Sequence, residues 1–233
     1  MPPKKPMIDY RSFRFSKLGT DQFCHLKLLL YWPIFLLFFL FVERLSPVDY
    51  YYPVSCTLDA YIPFCEYFLI PYLFWFLYLI GMHLYTLLYD IEAFRKLMWF
   101  IIISYSIGMI IYLLFPTCQE LRPAVFERDN IFTGFLYYFY KFDTNTNVCP
   151  SLHVVGSVAV WCTSLDIKQF RSVPWRIFFG ITTFLICVAT LFLKQHSVID
   201  VIVAIPVCLI AYYFSFVKNK KEYRKAGRSH RNM

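Results

Sequence analysis

The chain has 233 residues, of which 59% are hydrophobic, 21% aromatic and 16% charged. Soluble domains are nearer half apolar with a quarter of their residues charged, so this composition excludes an ordinary soluble globular protein and fits a chain solvated by lipid. The net charge of +8 raises nucleic acid as a partner until the placement of the charges is read.

Six apolar runs follow from the gaps between charges. After a charged N-terminal segment, 1–23, the run Leu28–Val42 carries no charge, and Lys27 can snorkel to lengthen it. No small-residue cleavage site follows, so this span is read as retained rather than removed. The second run is Tyr67–Tyr89, the third Leu97–Phe115, the fourth Ser151–Leu165, the fifth Ile177–Leu193 and the sixth Val198–Val217. A helix needs about 20 apolar residues to cross a bilayer, fewer with help at its ends; the fourth run is the shortest fit and starts close to His153. Between the third and fourth runs, Ile131–Phe142 is aromatic-rich and too short to span, which predicts a helix lying in the interface. There is no repeat. The expected fold is an all-α integral membrane protein of one domain, 1–233: six transmembrane helices in one bundle, plus a short interfacial helix between spans three and four.

Lys and Arg set the orientation. Six spans put both termini on one side, and 18 of the 23 basic residues fall there, including a basic tail at 218–233. Only Arg44, Arg122, Arg128, Lys141 and Lys194 fall on the other side. Cationic loops stay in the cytoplasm, so the termini are expected there. The basic balance is then a topology signal, nucleic acid needs no role, and the tail is placed to meet anionic lipid. Of the eight cysteines, Cys56, Cys65, Cys118 and Cys149 fall on the outer side; spacing does not decide whether they pair, and none has metal-type spacing.

Three polar clusters interrupt the apolar chain: Phe115–Pro123 (FPTCQELRP) after span three, Asn147–His153 (NVCPSLH) at the start of span four, and Lys194–Asp200 (KQHSVID) between spans five and six. The topology gathers all three on the outer face. Ionisable groups at that depth are costly and point to function. His196 and Asp200 are four residues apart and share a helix face; Asp200 can hold one imidazole nitrogen protonated and leave the other free to attack phosphorus. Arg122 and Lys194 supply positive charge for phosphate oxygens. Ser151 starts a helix, where hydroxyl and backbone N–H groups make an anion site. His153 is placed to protonate a leaving alkoxide.

These residues resemble the type 2 phosphatidic acid phosphatase superfamily, the lipid phosphate phosphatases, whose pattern is K-x6-R-P, then P-S-G-H, then S-R-x5-H-x3-D. Arg122–Pro123 matches the R-P; Pro150, Ser151 and His153 match the second motif; His196 and Asp200 match the third with its spacing. The resemblance covers spans three to six. It implies a six-helix fold, with His196 as nucleophile, His153 as acid and Asp200 as orienting partner. The chain departs from the pattern at Phe115 for the Lys, Leu152 for the Gly, and Ala189 and Thr190 for the Ser and Arg; Lys194 stands where it can replace that Arg in function. The reduced set, S-L-H with K-Q-H, is more similar to the branch that holds inositol phosphorylceramide synthases and many bacterial relatives, which implies a bacterial plasma membrane. Sphingomyelin synthases share a His–His–Asp set.

Bland alternatives stand beside each reading. His25 and His83 read as packed core histidines, Arg122 and Lys194 as interfacial anchors, Ser151 as a helix cap, and the aromatic 131–142 segment as a membrane anchor. Zinc on His153, His196 and Asp200 is conceivable chemically, but the motifs already assign those residues to phosphoryl transfer. The expectation is a metal-independent lipid phosphatase without cofactor. It acts on a lipid phosphate at the extracytoplasmic face through a phosphohistidine, with membrane lipids as its other partners. The alternatives are a head-group transferase with a lipid alcohol acceptor and a non-catalytic lipid-binding or transport protein.

Overall fold

The computed structural model describes residues 6–46 and 48–218; the basic tail beyond Lys218 and the lysines at 4 and 5 lie outside the described residues. Seven α-helices carry the fold. They are α1 (Tyr31–Leu40), α2 (Leu69–Tyr89), α3 (Ile91–Leu114), α4 (Ile131–Phe142), α5 (Leu152–Asp166), α6 (Val173–Phe192) and α7 (Val198–Tyr212). A 3₁₀ segment, Cys24–Leu30, leads into α1, and wider π-type turns extend α1 through Leu45 and α7 through Lys218. Two short strands, β1 (Tyr52–Pro53) and β2 (Thr117–Cys118), pair in parallel.

Among the described residues, five helical stretches are long and apolar enough to cross a membrane: Cys24–Leu45, Glu66–Tyr89, Ile91–Leu114, Val173–Phe192 and Val198–Lys218. By length and composition the chain is a multi-pass, all-α membrane protein. The expected fourth span is the exception. It is α5, with 15 residues, about 22 Å of helix against a hydrocarbon core of about 30 Å. It packs on α2, α3, α6 and α7. Its inward residues are small or β-branched, with Val155, Ala159 and Val160 wholly buried.

Helix starts follow local capping chemistry. Asp90 alone separates α2 from α3, and its carboxylate accepts from Ala93 N–H. Because α3 begins at Ile91, Arg95 and Lys96 ride on its first turns rather than in a loop. Lys96 makes 2.7 Å ion pairs with Glu92 and with Asp166 at the end of α5. Pro174 in the first turn of α6 starts that helix four residues before the charge gap does. Asn130 caps α4 through the N–H groups of Phe132 and Thr133. The Ile131–Phe142 helix forms with the expected bounds; its Leu136 is buried in a cluster with Leu69, Tyr72, Ala189 and Leu193, so α4 lies over the ends of α2 and α6.

His25 and His83 are core residues. His25 Nε2 meets Tyr10 Oη at 2.9 Å, and His83 Nδ1 donates to Leu79 O at 2.8 Å.

Candidate active site

The chain-distant polar clusters meet at one end of the bundle through backbone hydrogen bonds. Thr117 in β2 is the first stitch: its carbonyl accepts from Asn147 N–H at 2.6 Å, and its hydroxyl accepts from the N–H groups of Val148 and Cys149 at 3.2 Å each. Gln119, 1% exposed, is the second. Its N–H reaches Asn145 O at 3.0 Å and its carboxamide donates to Lys194 O at 2.7 Å. Glu43, in the turn that ends the first span, accepts from Thr146 Oγ1 at 2.9 Å and Asn147 Nδ2 at 3.0 Å. Among the described residues, Asn147 and Lys194 are the non-glycine residues with positive φ, 51° and 53°, and each opens one of the two histidine clusters. Strained backbone held in place by its surroundings concentrates at functional sites.

Asp59, which the sequence did not single out, fixes the third cluster. One carboxylate oxygen accepts from Ser197 Oγ and Cys56 N–H at 2.7 Å each. The other accepts from Val198 N–H at 2.8 Å. This caps α7 jointly with Ser197, whose own capping box with Asp200 is also formed. Burial alone would raise the Asp59 carboxyl, but the Val198 N–H, the Ser197 hydroxyl and the Cys56 N–H more than offset it, so it sits below the usual carboxylate range.

The structure brings His153, His196 and Asp200 together. His196 Nδ1 lies 3.0 Å from Asp200 Oδ2, which also accepts from Ser197 N–H at 3.0 Å. An ionised carboxylate only accepts, so Nδ1 carries a proton, and in the neutral ring Nε2 is the nitrogen with the lone pair. The rings of His153 and His196 are 6.1 Å apart between centroids. His153 is held between Tyr72 and Trp75, each with a centroid distance of 4.3 Å, and its Nε2 is buried without a hydrogen-bond partner. Gly156, one turn on, lets this sandwich close: a Cβ there would lie 2.7 Å from Tyr105 Oη and 3.0 Å from Trp75 Nε1. Tyr72 in turn donates to Asp143 Oδ2 at 3.0 Å. Burial raises the Asp143 carboxyl above the usual range, against the Tyr72 hydroxyl and the charge of Arg122.

The three expected phosphate-binding residues are arranged differently from one another. Arg122 is stacked on Tyr140 at 4.5 Å. Its Nη1 donates to Tyr140 O at 3.1 Å and its Nη2 to Asp143 O and Thr144 O at 2.8 Å each, and to Gln195 Oε1; its Nε is buried and unpartnered. Ser151 is wholly buried. Its hydroxyl caps α5 through Val154 N–H at 3.5 Å, and its own N–H donates to Asp200 O at 3.2 Å. The Lys194 ammonium donates to Asp59 O at 2.8 Å and to Ile62 O. It anchors the 59–62 segment, which a sequence pattern does not reveal because those carbonyls lie more than 130 positions away. Thr190 contributes its carbonyl, which accepts from both Gln195 N–H at 3.0 Å and His196 N–H at 3.1 Å.

Cys149 sits beside Asp200. Burial and that carboxylate push its thiol up to about 12, so it stays protonated at neutral pH and is a poor nucleophile. Among the described residues, no group of three or more His, Cys, Asp or Glu side chains is placed to hold a metal ion. Comparison with protein-family models, with curated proteins and with solved structures finds no match to this chain in any of the three.

Proposed function

We propose that the protein is a membrane lipid phosphatase that works through a phosphohistidine at the extracytoplasmic end of the bundle. The observation that carries the reading is the arrangement of two imidazoles: His196, oriented by Asp200 through Nδ1, faces His153 across 6.1 Å. In the first step His196 Nε2 attacks phosphorus, the P–O bond to the lipid breaks, and His153 gives a proton to the departing alkoxide. In the second, His153 takes a proton from water, the oxygen attacks the phosphohistidine, and inorganic phosphate leaves with His196 restored. Asp200 stabilises the positive charge that the His196 ring gains on attack.

We read α5 as the sixth crossing, since its neighbours enclose it and its own ends need not reach lipid-exposed depth. Two of the basic groups are hydrogen-bonded to carbonyl oxygens, and the Asp143 and Asp59 carboxylates act on them only through space, which holds them in place and leaves part of their charge for a phosphate dianion. Lys194 is accordingly a positioning residue for the 59–62 segment.

The test is phosphate release by the purified full chain from a panel of lipid phosphates, with His196→Ala beside it and all lipid products resolved. Release that disappears in His196→Ala is expected. A new phosphodiester with no free phosphate would identify a head-group transferase instead, and no conversion of any lipid phosphate by the wild type would overturn the enzymatic reading.

A further inference from the structure

The residue just before the proposed nucleophile has a side chain that nothing in the motifs accounts for. Gln195 is 3% exposed. Its backbone is fixed at both ends, N–H on Thr190 O at 3.0 Å and carbonyl accepting from Gln119 Nε2 at 3.4 Å. Its side-chain oxygen accepts from Arg122 Nη2. That contact settles the orientation of the carboxamide, because the flipped form would set NH₂ against a guanidinium with no acceptor between them. The Gln195 NH₂ is therefore directed away from that contact, and it is buried with no acceptor.

Arg122 has the complementary feature. Tyr140 O, Asp143 O, Thr144 O and Gln195 Oε1 occupy its two terminal nitrogens. The stack on Tyr140 fixes its plane. Its Nε–H is left buried and unpartnered. Buried donors without acceptors are expensive, about 1–3 kcal/mol each, and native folds rarely keep two of them on directly bonded neighbours without a use.

We infer that Arg122 Nε–H and the Gln195 carboxamide NH₂ form a two-donor subsite for phosphate oxygens beside His196. The inference rests on the phosphoryl-transfer reading for its role in turnover, but the subsite itself is a binding claim. Its chemistry selects the ligand class. The free groups are all donors, one of them on a cation, so they fit an oxyanion and offer nothing to an ammonium or a hydroxyl that must donate. Chain order places the pair next to the proposed nucleophile: Gln195 is bonded to His196, and the N–H groups of both residues converge on Thr190 O. Anchoring by four acceptors means that neither side chain needs to reorganise when the oxyanion arrives.

The experiment uses the purified full chain in detergent, with inorganic phosphate binding measured by calorimetry and, separately, hydrolysis of a lipid phosphate. Gln195→Leu removes the carboxamide N–H donors and leaves Arg122 Nε–H, and Gln195→Glu keeps the shape while replacing those donors with an acceptor; Lys141→Ala, whose ammonium stacks on Tyr137 in the wild type, is the control. Phosphate affinity is expected to fall about 10- to 100-fold in Gln195→Leu, as for loss of a hydrogen bond to a charged group. It should fall further in Gln195→Glu and stay unchanged in the control. Thermal unfolding of each variant reports folding, and if Gln195→Leu does not fold, the isosteric Glu variant carries the test. Wild-type phosphate affinity in the folded Gln195 variants, or no phosphate binding by the wild type, overturns the subsite even if lipid phosphate is hydrolysed. Gln195-dependent phosphate binding without any hydrolysis leaves the subsite standing and overturns the phosphatase.

Discussion

Asp59→Ala is the substitution that should do most damage from outside the motifs. The carboxylate is 4% exposed and accepts three hydrogen bonds of 2.7–2.8 Å, from Cys56 N–H, Ser197 Oγ and Val198 N–H. Hydrogen bonds to a charged group contribute about 1.5–3 kcal/mol each, and they are not additive. The Lys194 ammonium, held on the Asp59 carbonyl, also loses its nearest counter-charge. Removing one member of a buried, paired network costs about 3–5 kcal/mol, and that is the expected loss of stability. Asp59→Asn keeps one good acceptor and turns the other into a donor facing N–H or O–H groups, so about 1–3 kcal/mol is expected. Because Asp59 caps the helix that carries Asp200 and follows directly on His196, turnover should fall with stability in both variants.

The pH dependence has a definite sign. The folded Asp59 carboxyl sits below its unfolded value, so its stabilisation is complete above the unfolded value, near about 4, and is lost as pH falls through the folded value. The gap in stability between wild type and Asp59→Ala should be constant from neutral pH to about pH 5 and shrink below about pH 4. Reversible unfolding in mixed micelles at a series of pH values measures it, with phosphate release followed in parallel. A difference under about 0.5 kcal/mol at pH 7, the range of ordinary surface substitutions, with wild-type turnover, would refute the capping argument.

Three further outcomes are expected. Gly156→Ala should cost about 1–3 kcal/mol by overpacking, since Tyr105 Oη lies 2.7 Å from the new Cβ, and should lower kcat more than it raises KM because Trp75 flanks His153; unfolding and steady-state kinetics on one preparation check both. His153→Ala should lose most with lipid phosphates and least with an aryl phosphate whose leaving group is already a weak base, whereas His196→Ala should be inactive with every substrate; rescue of His196→Ala alone by the aryl ester would reverse the two roles. Lys194→Met should lower the unfolding midpoint, and its kcat/KM for lipid phosphate should drop less than about tenfold, or about 1.4 kcal/mol. A direct transition-state contact would be worth about 2–4 kcal/mol, so a larger drop in kcat/KM at unchanged stability would return Lys194 to the phosphate.

Local signals in the chain had structural counterparts wherever the physics is local. The i, i+4 spacing of His196 and Asp200 becomes a 3.0 Å contact, and the 131–142 segment forms one helix. Charge gaps located the long apolar helices but misplaced their starts, because Asp90 and Pro174 set where α3 and α6 begin and Glu92 and Lys96 can pair on a helix that has already started. Length alone could not describe α5, which packs on four other helices. Asp59, Gln119 and Tyr72 were invisible for a different reason. Each acts across more than 70 positions, and nothing periodic in the chain marks an isolated polar residue that will meet a distant backbone. The direction of Lys194 was equally hidden, since it depends on a left-handed backbone at φ 53°.

The two basic residues of the site bear on why a charge-poor chain keeps them. A carboxylate partner would hold Arg122 or Lys194 in place but cancel its charge; a carbonyl oxygen holds it with a dipole and leaves most of the net charge. Arg122 is fixed by three backbone carbonyls and one amide oxygen, and Lys194 by two carbonyls. The nearby carboxylates have other partners: Asp59 is bonded to Ser197, Val198 and Cys56, and Asp143 to Tyr72 with its carboxyl raised by burial. At an effective dielectric of about 20, a unit charge about 15 Å from a phosphate oxygen is worth on the order of 1 kcal/mol without touching it. Backbone-held cations can therefore attract a dianion while remaining structural, so a site with Phe115 and Thr190 where the resembled pattern has Lys and Arg can still be electropositive. The contact itself then falls to the donors that remain open, which are those of Arg122 Nε and Gln195.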